Sequence, residues 1–218
     1  MKWQSLDLSQ ITAAKLPELL VVYGTDFSEN QGFFSDFITE EEKYVFTGEK
    51  NQMQNQTRLA CRAVLRRILS IYTGIPSKQV ELTLTKRGKP CIANSGLFFN
   101  VSHTDSSFLI GISVSGRVGT DIEILKGDED INEISLTAFS AQEIKNLKDS
   151  SSFLQMWTKK EALLKAAGLG LTDNLREISS NALIDKWGLK EYSFICPGNE
   201  TASVVARSKS KLTTIHVV

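Results

Sequence analysis

Two short segments carry residues whose types and spacing suit phosphate chemistry: Val118-Gly119-Thr120-Asp121-Ile122-Glu123 and Trp157-Thr158-Lys159-Lys160-Glu161-Ala162-Leu163-Leu164-Lys165. The first reads as a strand, so Asp121 and Glu123, two apart, share a face. The second reads as a helix, on which Trp157, Glu161 and Lys165, each four apart, stack along one stripe. If strand and helix meet, three carboxylates and an ammonium come to one place, a donor set for a divalent ion and the phosphate oxygens it would bind. Taken alone, Glu161 and Lys165 read as an exposed ion pair, and Asp121 and Glu123 as a solvated strand face. The combination is what argues for a site.

The elements that must position these residues are legible in outline. Leu19 to Tyr23 is a candidate buried strand, and Asp26 to Gly32 is loop-like. A helix is expected from Thr39, with Glu40, Glu41 and Glu42 in its first turn where the dipole favours them. Gln52 to Tyr72 has a helical period, and Arg58, Arg62 and Arg66 form a stripe on it whose plain reading is a solvated basic face. Gly74-Ile75-Pro76 ends that helix. Val80 to Leu84 reads as a strand, Lys86 to Pro90 as a polar turn, and Leu97 to Val101 as a strand running into Ser102 and His103. Phe108 to Val114 and Arg117 to Leu125 read as a hairpin across the two-residue turn Ser115-Gly116. An acidic stretch follows at Lys126 to Asp130. Ser140, with Glu143 three residues on, has the form of a capping box. The motif helix is expected over about Ser152 to Ala167, closed by Gly168 and Gly170. Strands near Lys190 to Ile195, Ala202 to Ala206 and Leu212 to Val218 complete the chain. Lys160 falls within the apolar face of the motif helix, so it must snorkel, pair with a carboxylate or meet a phosphate.

With 218 residues, of which 41% are hydrophobic, the chain has enough apolar content for a real core. Lys+Arg and Asp+Glu both number 25, which argues against a nucleic-acid binder or a polybasic membrane anchor and requires any basic site to be local. Cys61, Cys91 and Cys196 have neither metal-finger spacing nor a disulfide framework, which suggests a reducing, cytoplasmic setting. The start is too polar for a signal peptide, and no apolar run approaches a membrane span. His216 sits in a terminal strand and reads as structural or exposed. His103, beside Ser102 in a polar loop, can hold phosphate oxygens.

Taken in order, Arg58, Gly88-Lys89-Pro90, Phe99-Asn100-Val101-Ser102-His103, Gly119-Thr120-Asp121-Ile122-Glu123, Phe139-Ser140 with Glu143, and Trp157-Thr158-Lys159-Lys160-Glu161-Ala162 with Lys165 resemble the Sfp-like group of 4′-phosphopantetheinyl transferases. The resemblance runs from about Gln52 to Leu171, and its Trp and Lys-Glu-Ala form is similar to one branch of that group. It implies an α+β fold of two similar α/β-type subdomains related by a pseudo-two-fold. Residues 1–105 would supply coenzyme A phosphate and adenine contacts, and residues 106–218 the metal site and catalytic helix.

The implied reaction transfers the 4′-phosphopantetheine arm of coenzyme A to a serine of an apo acyl or peptidyl carrier protein, releasing 3′,5′-ADP. The resemblance makes Asp121, Glu123 and Glu161 the ligands of Mg²⁺, with Mn²⁺ as an alternative. Glu161 then competes between metal ligation and taking the serine proton, and Lys165 contacts the pyrophosphate. His103 is the further catalytic candidate. Gly88, Lys89 and Pro90 would line the adenine site, with Arg87 a further coenzyme A contact. Arg58, Ser102 and His103 would hold phosphates, with Asp121, Lys160 and Lys165 completing the coenzyme A contacts. A monomer is expected from two internal halves, and the carrier is expected to dock across Ile124 to Leu147. Two rivals are a metal-dependent nuclease, which would need a basic groove, and an inactive homologue that binds coenzyme A or a carrier without turnover.

Overall fold

The unbroken apolar run Leu19-Leu20-Val21-Val22-Tyr23 is buried on both faces, which is why it lacks the alternation of a half-exposed strand. Leu20 and Val22 join one core, while Leu19, Val21 and Tyr23 join another. The computed structural model that shows this describes residues 2–6, 10, 12, 16–25, 27, 34–46, 52–124, 129–170, 175–207 and 211–217. The loop expected at Asp26–Gly32 and the acidic stretch Lys126–Asp130 lie largely outside them.

Among the described residues the strands are β1 (Gln4–Leu6), β2 (Leu19–Thr25), β3 (Thr83–Leu84), β4 (Pro90–Cys91), β5 (Phe98–His103), β6 (Ser107–Ser113), β7 (Val118–Glu123), β8 (Leu189–Ile195), β9 (Thr201–Arg207) and β10 (Leu212–Val217). The helices are α1 (Glu40–Phe46), α2 (Gln52–Thr73), α3 (Glu129–Ala138), α4 (Ala141–Ile144), α5 (Ser150–Ala167) and α6 (Ser180–Trp187). A five-stranded sheet runs in the order β1-β10-β2-β6-β5, a three-stranded antiparallel sheet in the order β7-β9-β8, and β3 and β4 form a small hairpin.

The side-chain alternation stacks these elements in four layers. Helix α2 packs Ala60, Val64 and Ile68 on the outer face of the large sheet against Leu20, Ile110 and Ile112. The inner face, through Leu19, Val21 and Leu109, meets Val118, Ile122, Ala202 and Val204 of the small sheet. Helix α5 covers the far face of the small sheet, where Ala162, Leu163 and Ala166 meet Val205 and Leu189. Each Val, Leu and Ile among these side chains contributes about 1.5–3 kcal/mol by leaving water, and each Ala less. The two sheets are tied by Tyr23 of β2, whose hydroxyl lies 3.1 Å from Oε2 of buried Glu200 in the β8–β9 turn.

The expected α+β class is what the structure shows, but one expectation about connectivity is corrected. Strands β6 and β7 do not form a hairpin. Both edges of β6 are already filled by β2 and β5, so after Gly116, at φ +142, the chain crosses to the small sheet and β7 pairs with β9. Between residues 105 and 106, where two halves were expected to divide, the chain stays within the large sheet. That point falls in the β5–β6 connection inside one sheet, and β10 returns to pair with β1 and β2 of the same sheet. The strand expected over Val80 to Leu84 is only β3, whose residues are exposed.

Local signals hold up where they rest on caps. Ser140 and Glu143 make the reciprocal capping box, and α5 starts with a second one at Asp149 and Ser152, two residues ahead of the expected start. Gly168 closes α5 at φ +71 in the left-handed conformation. Helix α6 and helix α3, which takes in the end of the acidic stretch, were not legible in the sequence.

Candidate active site

Gly119 sets how closely the carboxylate strand approaches its helix. A Cβ there would run into the Ala162 carbonyl oxygen and the Ala166 amide nitrogen, so only glycine lets the β7 backbone lie against the α5 backbone. The rotation of α5 on the sheet is then fixed by a buried hydroxyl chain, Thr158 Oγ1 to Ser203 Oγ at 2.8 Å and Ser203 Oγ to Ser193 Oγ at 2.9 Å. Ser203 is the register partner of Asp121, and Thr158 lies one turn before Glu161.

Strand β7 is paired on one edge only, and side chains satisfy the other. Asn100 Oδ1 accepts from Thr120 N at 2.8 Å, and Lys89 Nζ donates to Val118 O at 2.9 Å and to Lys165 O at 2.8 Å. These contacts hold Asp121 at the seam between β7, β5 and α5. Asp121 is 2% exposed, and its Oδ1 accepts from Lys165 Nζ at 2.6 Å and from Ser102 Oγ at 2.9 Å. The ammonium also donates to Ser102 Oγ at 3.1 Å, which closes a three-membered network across the two sheets.

Negative charge exceeds positive charge here. Glu161 is 8% exposed and is pushed up to about 7 by burial and by Asp121, against the pull of Lys165. Glu123 is likewise pushed up to about 7 by burial and then by Asp121, although the Trp157 side chain hydrogen bonds to it. Asp121 Oδ2 and Glu161 Oε1 are buried with no hydrogen-bond partner. Unpartnered carboxylate oxygens with one ammonium between three acids are a chemical fit for a hard cation. The fit is one of donor set and charge: among the described residues, no three His, Cys, Asp or Glu side chains are drawn together closely enough to share a metal as they stand. The carboxylates adjoin one another, but Lys165 occupies the inner oxygen of Asp121.

These shifts have a stability consequence. Both glutamates titrate near 7 in the fold and near 4.5 when unfolded, so their burial costs nothing below about pH 4.5 and its full penalty accrues as pH rises past 7. His103 and His216 are pushed down by burial and act in the opposite direction, so the informative quantity is a difference. The metal-free protein should lose urea resistance between pH 5 and pH 8 more steeply than the Glu123→Gln, Glu161→Gln variant. Parallel pH profiles would mean that the pair carries no such burial penalty.

A second group of expected residues assembles next to the first. Arg58, Arg62, Pro90 and His103 line a cavity of about 140 Å³, and Arg58 Nε is buried without a partner. Burial and then Arg58 hold the His103 imidazole below its ordinary value, with Lys165 adding to the effect. A neutral imidazole and a guanidinium on one wall suit a phosphate. A larger cleft of about 1090 Å³ lies along the β3–β4 hairpin, lined by Lys89, Arg117, Phe98, Trp187 and others, and none of the three carboxylates lines it.

Three expectations are placed differently. Lys160 is 2% exposed and donates to Glu143 Oε2 at 3.1 Å with the Phe139 ring 5.5 Å away, so it takes the paired reading and not the phosphate one. Arg87 Nη1 donates to Gly168 O at 2.9 Å; with Lys89 it caps the carbonyl end of α5, while Gly88 supplies the left-handed turn at φ +77. Burial, then Arg117 and Lys165, push the Lys89 ammonium down to about 8. Arg66, far from a solvated face, is buried and donates to Glu42, Ser77 O and Val80 O. Sequence reasoning missed Asn100, Thr158, Ser193 and Ser203 as positioning groups. A polar residue inside an apolar strand, as at Asn100, was the available signal.

Known proteins share this arrangement of segments. Residues 117–209 match the model of the 4′-phosphopantetheinyl transferase superfamily. The chain is 36% identical over 129 residues to the 4′-phosphopantetheinyl transferase HetI of Nostoc, covering 55% of this chain and 54% of that one. It is 29% identical over 146 residues to the 4′-phosphopantetheinyl transferase gsp of Aneurinibacillus migulanus, covering 64% and 60%. AcpT of Salmonella typhi, also a 4′-phosphopantetheinyl transferase, is 31% identical over 117 residues, covering 50% and 57%. The match thus spans between 54% and 60% of the length of these relatives. The matched stretch holds β7 and α5, and with them Asp121, Glu123, Glu161 and Lys165, and over that stretch the chain is similar to the 4′-phosphopantetheinyl transferase superfamily.

Proposed function

We propose that this protein transfers the 4′-phosphopantetheine arm of coenzyme A to a serine hydroxyl of an apo acyl or peptidyl carrier protein and releases 3′,5′-ADP. The observation that carries the reading is buried Asp121 and Glu161, each with an unpartnered oxygen, beside half-buried Glu123 and Lys165, inside the stretch that matches the superfamily.

In the reaction the serine oxygen bonds to the phosphorus that bears the pantetheine arm, the bond from that phosphorus to the oxygen of 3′,5′-ADP breaks, and the serine proton is lost. Asp121, Glu123 and Glu161 would hold Mg²⁺ or Mn²⁺, which neutralises pyrophosphate charge when bound. Glu161, whose Oε1 is buried without a partner, would be placed to receive the serine proton directly or through water, in competition with its role as a ligand. Lys165, on the last turn of α5, reaches the leaving phosphate and stabilises the charge that develops there. Arg58 and His103, which line the small cavity, and Ser102 on the Asp121 network would bind phosphate oxygens, with Pro90 and the Lys89 stem, which line the larger cleft, walling the adenine side. Trp157 steadies Glu123, which supports placing the chain in the Trp-bearing branch.

A monomer in the cytoplasm accords with the three free thiols. Among the described residues no helix is long and apolar enough to cross a membrane. The carrier is proposed to dock near Ile124 to Leu147, part of which lies outside the described residues.

Intact-mass analysis of several apo carriers incubated with coenzyme A and Mg²⁺, with and without EDTA, tests the proposal. A gain of one phosphopantetheine arm that EDTA abolishes is expected. No gain on any carrier, alongside tight coenzyme A binding, would favour a binder without turnover.

A further inference from the structure

We infer that Lys165 is the resident counter-ion of the carboxylate site and must leave Asp121 before a divalent cation can be held there. The inference deepens the proposed function and rests on it in taking these carboxylates as a cation site.

Three facts of placement lead to it. One oxygen of Asp121 is doubly engaged, by the Lys165 ammonium at 2.6 Å and the Ser102 hydroxyl at 2.9 Å, while the other oxygen and Glu161 Oε1 have no partner. The acids nevertheless fail to converge as a three-ligand cluster among the described residues. A single ammonium balances only part of the charge of buried Asp121 and Glu161 and half-buried Glu123, whereas a dication would balance more of it and draw the bare oxygens inward. The ammonium therefore stands as a monovalent placeholder.

Lys165 is also built to move. Its side chain is 29% exposed whereas Asp121 is 3% exposed, so the flexible partner of the pair is the one that opens to solvent. Ser102 stays on Asp121 when the lysine leaves, since the hydroxyl donates to the carboxylate independently. Cation loading and release of the ammonium are then one exchange. The lysine becomes available to a phosphate oxygen only at a site already carrying its cation, which orders the assembly of the pyrophosphate contacts.

Mn²⁺ affinity, read by electron paramagnetic resonance without coenzyme A or carrier, separates this inference from the transfer reaction. Lys165→Met should bind Mn²⁺ about tenfold or more tightly than the wild type. Lys165→Arg should not gain affinity, and neither should Lys159→Met, which removes an equal charge from the same helix without touching Asp121. Because Lys165→Met leaves a buried carboxylate unpaired, a second measurement uses the wild type: with ¹³Cε-labelled lysine, the Lys165 signal, assigned by its loss in Lys165→Arg, should shift in step with Mg²⁺ saturation. Unchanged or weaker Mn²⁺ binding by Lys165→Met, equal tightening by Lys159→Met, an unmoved Lys165 signal, or no Mn²⁺ binding to any form would each overturn the inference. Transfer activity could survive all four results.

Discussion

Glu161→Gln is expected to lower phosphopantetheine transfer by about 10³-fold or more while the metal-free protein keeps or gains stability. The two effects have one origin. The carboxylate is 8% exposed, one of its oxygens has no partner, and burial with Asp121 beside it makes the charged form unfavourable. Glutamine keeps the shape, removes the charge and so removes that cost. The same change deletes a cation ligand and the group placed to take a proton, and a positioned base alone is worth about 10²–10⁴-fold. Turnover by intact mass and the thermal midpoint of EDTA-treated protein measure the two sides. Near-normal turnover would remove Glu161 from the chemistry, and a large fall in midpoint would make it a structural partner.

The contrast between what was and was not legible follows from range. Asp121, Glu123, Glu161 and Lys165 were readable because strand and helix periods are local, and any packing of that strand on that helix brings them together. The capping boxes and Gly168 were readable for the same reason. Sheet membership was not. Whether β7 pairs with β6 or with β9 depends on how many partners β6 already has, and β2 contributes one of them from nearly a hundred residues upstream. Lys160 shows the intermediate case. Its place on an apolar face required a partner, and the sequence could not choose between Glu143 and a phosphate because that choice depends on where α4 lands. Asn100 and the Thr158, Ser203 and Ser193 chain were missed since hydroxyls and amides carry no periodic signal, and only the fold reveals that they fix the edge of β7 and the rotation of α5.

Gly119→Ala should be the most damaging glycine-to-alanine change among the described residues. The glycine has no unusual backbone conformation to protect, so the argument is space alone. Its missing side chain points at the α5 backbone, and an added Cβ meets the Ala162 carbonyl and the Ala166 amide, neither of which can turn aside as a flexible side chain would. Relief requires α5 to back away from β7, and the helix is anchored on the sheet by Ala162, Leu163 and Ala166 in the core and by the Thr158 hydroxyl. Overpacking of this kind costs about 1–3 kcal/mol in a deformable core, and a backbone-to-backbone clash belongs at or above the upper end. Any retreat also carries Glu161 and Lys165 away from Asp121 and Glu123, and a displacement of about 1 Å at a reacting centre can cost about 10²-fold. We therefore expect the unfolding free energy from urea titration to fall by about 3 kcal/mol or more and transfer to fall by at least about 10²-fold in whatever protein stays folded. Gly111→Ala is the comparison for a clash with side chains alone, since its Cβ would meet the methyls of buried Thr120 and Val118, and it should cost stability but less than Gly119→Ala. A Gly119→Ala protein as stable and active as wild type would show that α5 does not lie on β7 in this way, and the nearness of Glu161 and Lys165 to Asp121 would lose its structural cause.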